Sequence, residues 1–191
     1  VPENTPIHYL FNAQATQVVD IKQYTQENGL ATSDWFPMVR GRVIKINGED
    51  VEALYPNRRD EPEIAERELN LTWADQIGEG SALLEGNFSA QGISIEQQAA
   101  IEANVGIGDE LTISIGGLEY TLPITSIRSV DWQSMQPNFY LILPKTVLSD
   151  YQANYVSSVF LDQTNAADFY RFMSNYPTVS MLNIGELLKQ V

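Results

Sequence analysis

Apolar residues dominate the run IHYLFNA (Ile7–Ala13), and the next segment carries Val18, Val19, Ile21 and Tyr24 before closing on Gly29. A strand followed by a helix is expected, with glycine where a helix C-terminus favours left-handed backbone. In PMVRGRVIKINGEDV the apolar positions alternate with Arg40 and Arg42, and the Asn47-Gly48 pair is a strong hairpin signal. From Arg58 to Glu68 eight residues are charged, which predicts a solvated linker or loop. Alternation resumes in ELNLTWA with Leu69, Leu71 and Trp73.

Further along, Ser94 and Gln97 stand at the spacing of a capping box, so a short helix is expected from there to about Asn104. LTISI and LEYTLPITSI alternate on either side of Gly116-Gly117, as two strands joined by a turn would. NFYLIL (Asn138–Leu143) lies between Pro137 and Pro144 and predicts a strand with much of its apolar surface buried. Before it, Trp132 to Pro137 predicts a turn or bulged connection. A short helix over Lys145–Asp150, the strand VSSVFL, a helix over Asn165–Asn175 with Phe169, Phe172 and Met173 on one face, and the strand VSMLNI complete the pattern.

The two ends therefore share a strand-helix-strand pattern and the middle is strand-rich. The expected fold class is α+β: one subdomain of two βαβ-like units from residues 1–56 and 152–191, with a β-rich subdomain inserted over 57–151. No repeat of fixed period and no low-complexity tract interrupts this.

Charge narrows the functional classes. With 25 acidic against 11 basic residues, the net charge of -14 disfavours phosphate backbones and anionic membrane surfaces. Absence of cysteine excludes thiolate metal sites, thiol nucleophiles and disulfides within the chain. No stretch has the length and apolarity of a membrane span, and no signal-peptide pattern is visible, so the segment is expected to be soluble. Its start at Val1 suits a domain taken from a longer protein.

Catalytic motifs are scarce. The single histidine, His8, falls on the first expected strand, and no GxSxG elbow occurs. Gly106-Ile107-Gly108-Asp109 follows a helix and leads into a strand, the reverse of a phosphate cradle, and predicts a helix C-cap and turn. No acidic loop has calcium-ligand spacing, and neither a cofactor nor a metal is expected. A carboxylate pair for glycoside hydrolysis is a three-dimensional arrangement that sequence neither supports nor removes. Arg40 and Arg42 on one strand face, with Arg128 on another expected strand, are candidates for a cationic patch toward a carboxylate or lipid headgroup, or for pairing with the abundant acids. Trp132 and Met135 are candidate partner contacts in their turn.

Several long stretches resemble a known family: FPMVRGRVIKING, RELNLTW, SIEQQAAIEANVGIGDELTISIGG and SIRSVDWQSMQPNFYLIL. Together they look like the periplasmic domain of YbbP-type permeases, of the FtsX-like, MacB-like superfamily of ABC transporters. The resemblance implies that the subdomain built from both chain ends is porter-like, and that the whole is a non-enzymatic module on the periplasmic face of the bacterial inner membrane, set between transmembrane helices that lie outside Val1–Val191. It also implies a cytoplasmic ATPase partner, mechanotransmission toward periplasmic work such as export of lipids, lipoproteins or hydrophobic compounds, and a periplasmic protein or lipid partner. Gly185–Val191, with Leu187, Leu188 and Val191, would form the first turns of a stalk. The chain departs from the family after LLEG, where paired tryptophans are usual and Asn87 and Phe88 stand here; Phe88 is accordingly a candidate contact of altered chemistry. The alternative is a ligand-binding module holding an apolar or lipid ligand between the subdomains.

Overall fold

A computed structural model describes residues 7–134 and 136–184. In chain order the elements are β1 (Ile7–Ala13), α1 (Ala15–Glu27), β2 (Ala31–Thr32), β3 (Phe36–Ile46), β4 (Glu49–Asp50), α2 (Val51–Leu54), a 3-10 turn (Arg58–Asp60), α3 (Glu63–Glu66) and β5 (Leu69–Leu71). They continue with β6 (Ser81–Gly86), β7 (Ile93–Glu96), α4 (Gln97–Ala103), β8 (Glu110–Ile115), β9 (Leu118–Val130), β10 (Leu141–Ile142), α5 (Lys145–Leu148), β11 (Asn154–Phe160), α6 (Ala166–Met173) and β12 (Ser180–Asn183). The fold class is α+β, and the chain divides into two compact units, residues 1–37, 135–137 and 153–191 in one and 38–134 and 138–152 in the other.

In the first unit β1 pairs antiparallel with both β11 and β12, and β11 pairs antiparallel with β2. Each βαβ-like unit is thus split: β11 lies between β1 and β2, and β1 lies between β11 and β12, so the chain ends interleave. Helices α1 and α6 cover the sheet through a core of Leu10, Ile21, Val159, Phe169 and Met173. Phe169 is fully enclosed, and Phe172 stacks on Tyr24 at 4.1 Å between ring centroids. The start of α1 is tied by the Gln14 backbone N–H donating to Gln17 Oε1 at 2.9 Å, and Gly29 follows its end at φ 64°.

In the second unit β3, β8 and β9 form an antiparallel ladder, extended by β4 and β5 on β3. Residues 38–56, expected from patterning in the first unit, pack here because β3 is held by β5 and β8. Strand β9 changes partners at Pro123: its first half pairs with β8, its second half with β6 on one side and, in parallel, with β7. Proline has no N–H to donate, which suits the point where one ladder ends and another begins. β10 extends β7. Ile93, Ile95, Leu111, Ile113, Ile124 and Leu141 are among the fully buried side chains.

Four local expectations are corrected. The charged stretch from Arg58 to Glu68 is not a plain loop: it forms the 3-10 turn and α3, anchored by buried Ile64 and Ala65. Ser94 is not a helix cap; it lies buried within β7, and Glu96 caps α4 by accepting the Gln98 and Ala99 backbone N–H groups at 2.9 and 2.8 Å. The strand expected over Asn138–Leu143 shrinks to Leu141–Ile142. Strand β6 has no counterpart among the expected elements. The stalk expected over Gly185–Val191 lies outside the described residues.

Candidate functional site

The candidate side chains of the second unit fall into three environments. Arg40 and Arg42 alternate on β3 around Gly41, both exposed. Arg40 Nε donates to Glu68 Oε2 at 3.2 Å, a solvent-facing pair worth at most about 1 kcal/mol. Arg42 lines an open groove of about 640 Å³ together with Val43, Val51, Glu52, Arg58 and Glu61. In its lining the carboxylates of Asp50, Glu52, Glu61 and Glu66 outnumber the guanidiniums of Arg42 and Arg58, so the groove is acidic on balance.

Arg128 sits elsewhere in chemistry: it is 1% exposed and contributes nothing to a surface patch. Its Nη2 donates to the Phe139 carbonyl at 2.5 Å, while Nε and Nη1 have no hydrogen-bond partner. Burial pushes its pKa down to about 10, opposed by the charge of Glu96. Glu96 and Arg128 are register neighbours in the parallel β7–β9 pair, as are Ser94 and Ser126, so four polar side chains line one buried stretch of sheet. Both serine hydroxyls also lack partners. The chain's single histidine, His8, lies on β1, so no imidazole belongs to this buried row.

Trp132 occupies the turn after β9 and is 47% exposed. The turn is fixed by the Asp131 N–H donating to the Gly80 carbonyl at 2.8 Å and by Asp131 Oδ1 accepting from the Gln133 N–H at 3.0 Å. Its indole meets Tyr140 edge-on at 5.4 Å, which holds the ring while leaving a face open. Burial, then the hydrogen bond the phenol donates to the Glu63 carboxylate and the charge of that carboxylate, push the Tyr140 phenol up to about 12. Phe88 is half-buried beside a small cavity of about 120 Å³ lined also by Asp75, Gly92, Ile142 and Lys145. Met135 lies outside the described residues. The candidates therefore do not converge on one constellation.

His8, in the first unit, is buried on β1 and meets the Tyr170 hydroxyl at 2.7 Å through Nε2. Among the described residues no group of three or more His, Cys, Asp or Glu could hold a metal ion, and no helix is long and apolar enough to cross a membrane.

One surface escaped sequence reasoning. Along β6 nearly every side chain is exposed, including Leu83 and Leu84 at 46% and 45%. Beside it Ile101 and Ile107 are 65% and 48% exposed, and a groove of about 320 Å³ runs between β6 and α4. A signal was present in SALLEG between two glycine-containing turns, but two adjacent leucines fit neither strand nor helix periodicity.

Two known proteins are similar to this chain. The chain is 32% identical over 193 residues to the uncharacterized ABC transporter permease YbbP of Escherichia coli strain K12, a match covering 100% of this chain and 23% of that protein. It thus spans about a quarter of the length of that relative. A crystal structure of a domain of a protein provisionally classed as a permease, from Porphyromonas gingivalis, aligns over 94% of this chain and 87% of that one, with 10% identity and a TM-score of 0.44. No protein-family model matches the chain.

Proposed function

Because the chain is homologous along its whole length to one segment of the YbbP-type ABC transporter permease, we propose that it is the extracytoplasmic domain of such a permease. On this reading it is a non-enzymatic part that couples ATP hydrolysis by a cytoplasmic partner subunit to work in the periplasm, such as export of lipids, lipoproteins or hydrophobic compounds. Its two compact units are the porter-like part and the inserted part of that domain. The observation that carries the proposal is the match along the whole of this chain to one segment of that permease. Relaying a conformational change requires elements with more than one arrangement, biased by the flanking segments. The second reading, a module holding an apolar ligand, draws on no enclosed apolar cavity described above.

The sidedness is directly testable, because the chain has no cysteine. Val19 on α1 is 64% exposed, so Val19→Cys in the parent permease supplies a reactive thiol within this segment. A membrane-impermeant maleimide should label it in cells whose outer membrane alone has been opened. Labelling only after inner-membrane lysis would place the domain in the cytoplasm and end this reading. Deleting the segment should abolish transport-linked work while basal ATP hydrolysis in detergent persists; survival of the work would show that the domain is not the coupling part.

A further inference from the structure

Strand β6 pairs with β9 on one side only, among the described residues. An edge strand presents backbone N–H and C=O groups to any chain able to lie alongside, and proteins usually blunt such edges with charge, proline or cover. Here the six-residue edge SALLEG has no proline and one charge; its register with β9 shifts between Leu83 and Glu85, a bulge that bends the edge without covering it, and its two leucines remain close to half exposed. Helix α4 packs against β7 and β9. The surface between α4 and β6 stays open as the 320 Å³ groove, floored by Ile127 and walled by Leu84, Ala100, Ile101 and Val105. An unpaired edge beside an apolar groove supplies the two parts of strand addition: main-chain hydrogen bonds for affinity and a recess for alternate side chains.

Charge selects the occupant. Glu79 and Glu85 flank the leucines at either end, both exposed and in none of the ion pairs among the described residues. The whole chain carries a net charge of -14. A second copy of the same acidic edge would be repelled, whereas a segment alternating apolar with basic residues would seat an apolar side chain in the groove and meet both carboxylates. Gly86 fixes where the site ends. It has φ 74°, and a Cβ there would lie 2.2 Å from the Thr125 carbonyl oxygen and 2.9 Å from Ile107 Cδ1, so only glycine fits where the strand ends close against β9.

We propose that the open edge of β6 and its groove dock an extended segment of a partner protein, added as an antiparallel or parallel strand, with apolar and lysine or arginine residues in alternation. The inference uses only the edge, the groove and their charge, and does not rest on the permease reading.

The test uses the 191-residue chain with two short synthetic peptides, one alternating leucine with lysine and one alternating leucine with glutamate. Amide hydrogen exchange over residues 81–86 should slow on adding the lysine peptide and not the glutamate peptide. Leu84→Ala should weaken binding about tenfold, as expected for losing part of one buried apolar contact. The double variant Glu79→Lys with Glu85→Lys should reverse the preference between peptides. Leu118→Ala, at a more exposed apolar position, 60%, on the β8–β9 hairpin, should leave binding unchanged. Equal binding of both peptides, binding of neither, or protection mapping away from 81–86 would overturn the proposal. So would protection of 81–86 that grows with protein concentration in the absence of peptide, which would make a second copy the occupant.

Discussion

Strands β7 and β6 flank the same half of β9, yet one is buried at all four positions and the other is exposed at nearly all six. The shared neighbour cannot explain the contrast. β7 is covered by α4 and extended by β10, and it uses its enclosure to hold Glu96 against the charge of Arg128. Among the described residues β6 has a ladder on one edge only, and nearly all its side chains are exposed. The comparison teaches that within one sheet the stability of the unit and its capacity to meet another molecule are allotted to opposite sides of a single strand.

The contrast can be broken most severely at Glu96. Glu96→Ala removes two charge-assisted cap bonds from α4 and leaves the buried Arg128 without a counter-charge, which should cost about 4 kcal/mol in urea denaturation. Adding Arg128→Met should recover about half of that loss, because an apolar side chain leaves no orphaned donors. Full additivity of the two changes in a double-mutant cycle would show that the groups do not interact.

A smaller and sharper test compares equivalent apolar truncations on the two strands. Ile95→Ala, at a fully enclosed position on β7, should cost about 3 kcal/mol, whereas Leu84→Ala on β6 should fall within about 0.5 kcal/mol. Equal losses would mean that β6 is covered in solution.

The smallest effect is alkaline and concerns Tyr140, beside the β7 side of the sheet. A phenol raised in the folded state from 10.0 to about 12 contributes stability that is complete below pH 10 and lost as pH rises toward 12. The alkaline decline of the denaturation midpoint should therefore be shallower in Tyr140→Phe, and an unchanged slope would remove Tyr140 from the alkaline loss.

The legible part of the fold was that written in periodicity. β1, α1, β8, β9, β11, α6 and β12 follow from alternation, helical spacing and glycine turns, and long motifs carried the likeness to a permease segment. What failed was competition between local signals and tertiary enclosure. Ser94 and Gln97 have capping-box spacing, but the hydroxyl is taken into the sheet and the cap passes to Glu96. The charges of Arg58 to Glu68 outweigh Ile64 and Ala65 in the sequence, although these two are buried and anchor α3. Arg128 was readable as a strand residue, but its burial depends on which strands flank β9, and the alphabet along one strand does not encode that. For the same reason the site candidates scattered, since grouping Arg40, Arg42 and Arg128 by charge ignored that one of them is enclosed.

The interleaved first unit has a mechanical consequence. His8 near the start of β1 stands opposite Asn183 at the close of β12, so the described chain enters and leaves the first unit side by side. Drawing those two flanks apart would peel the β1–β12 ladder one pair at a time, from its open end, instead of loading its hydrogen bonds together. Moving both flanks in the same direction would instead carry β1 and β12 together without straining their bonds. The unit is thus compliant to separation of its flanks and stiff to their common displacement, an anisotropy that single-molecule pulling from residues 7 and 184 would register as unfolding at low force.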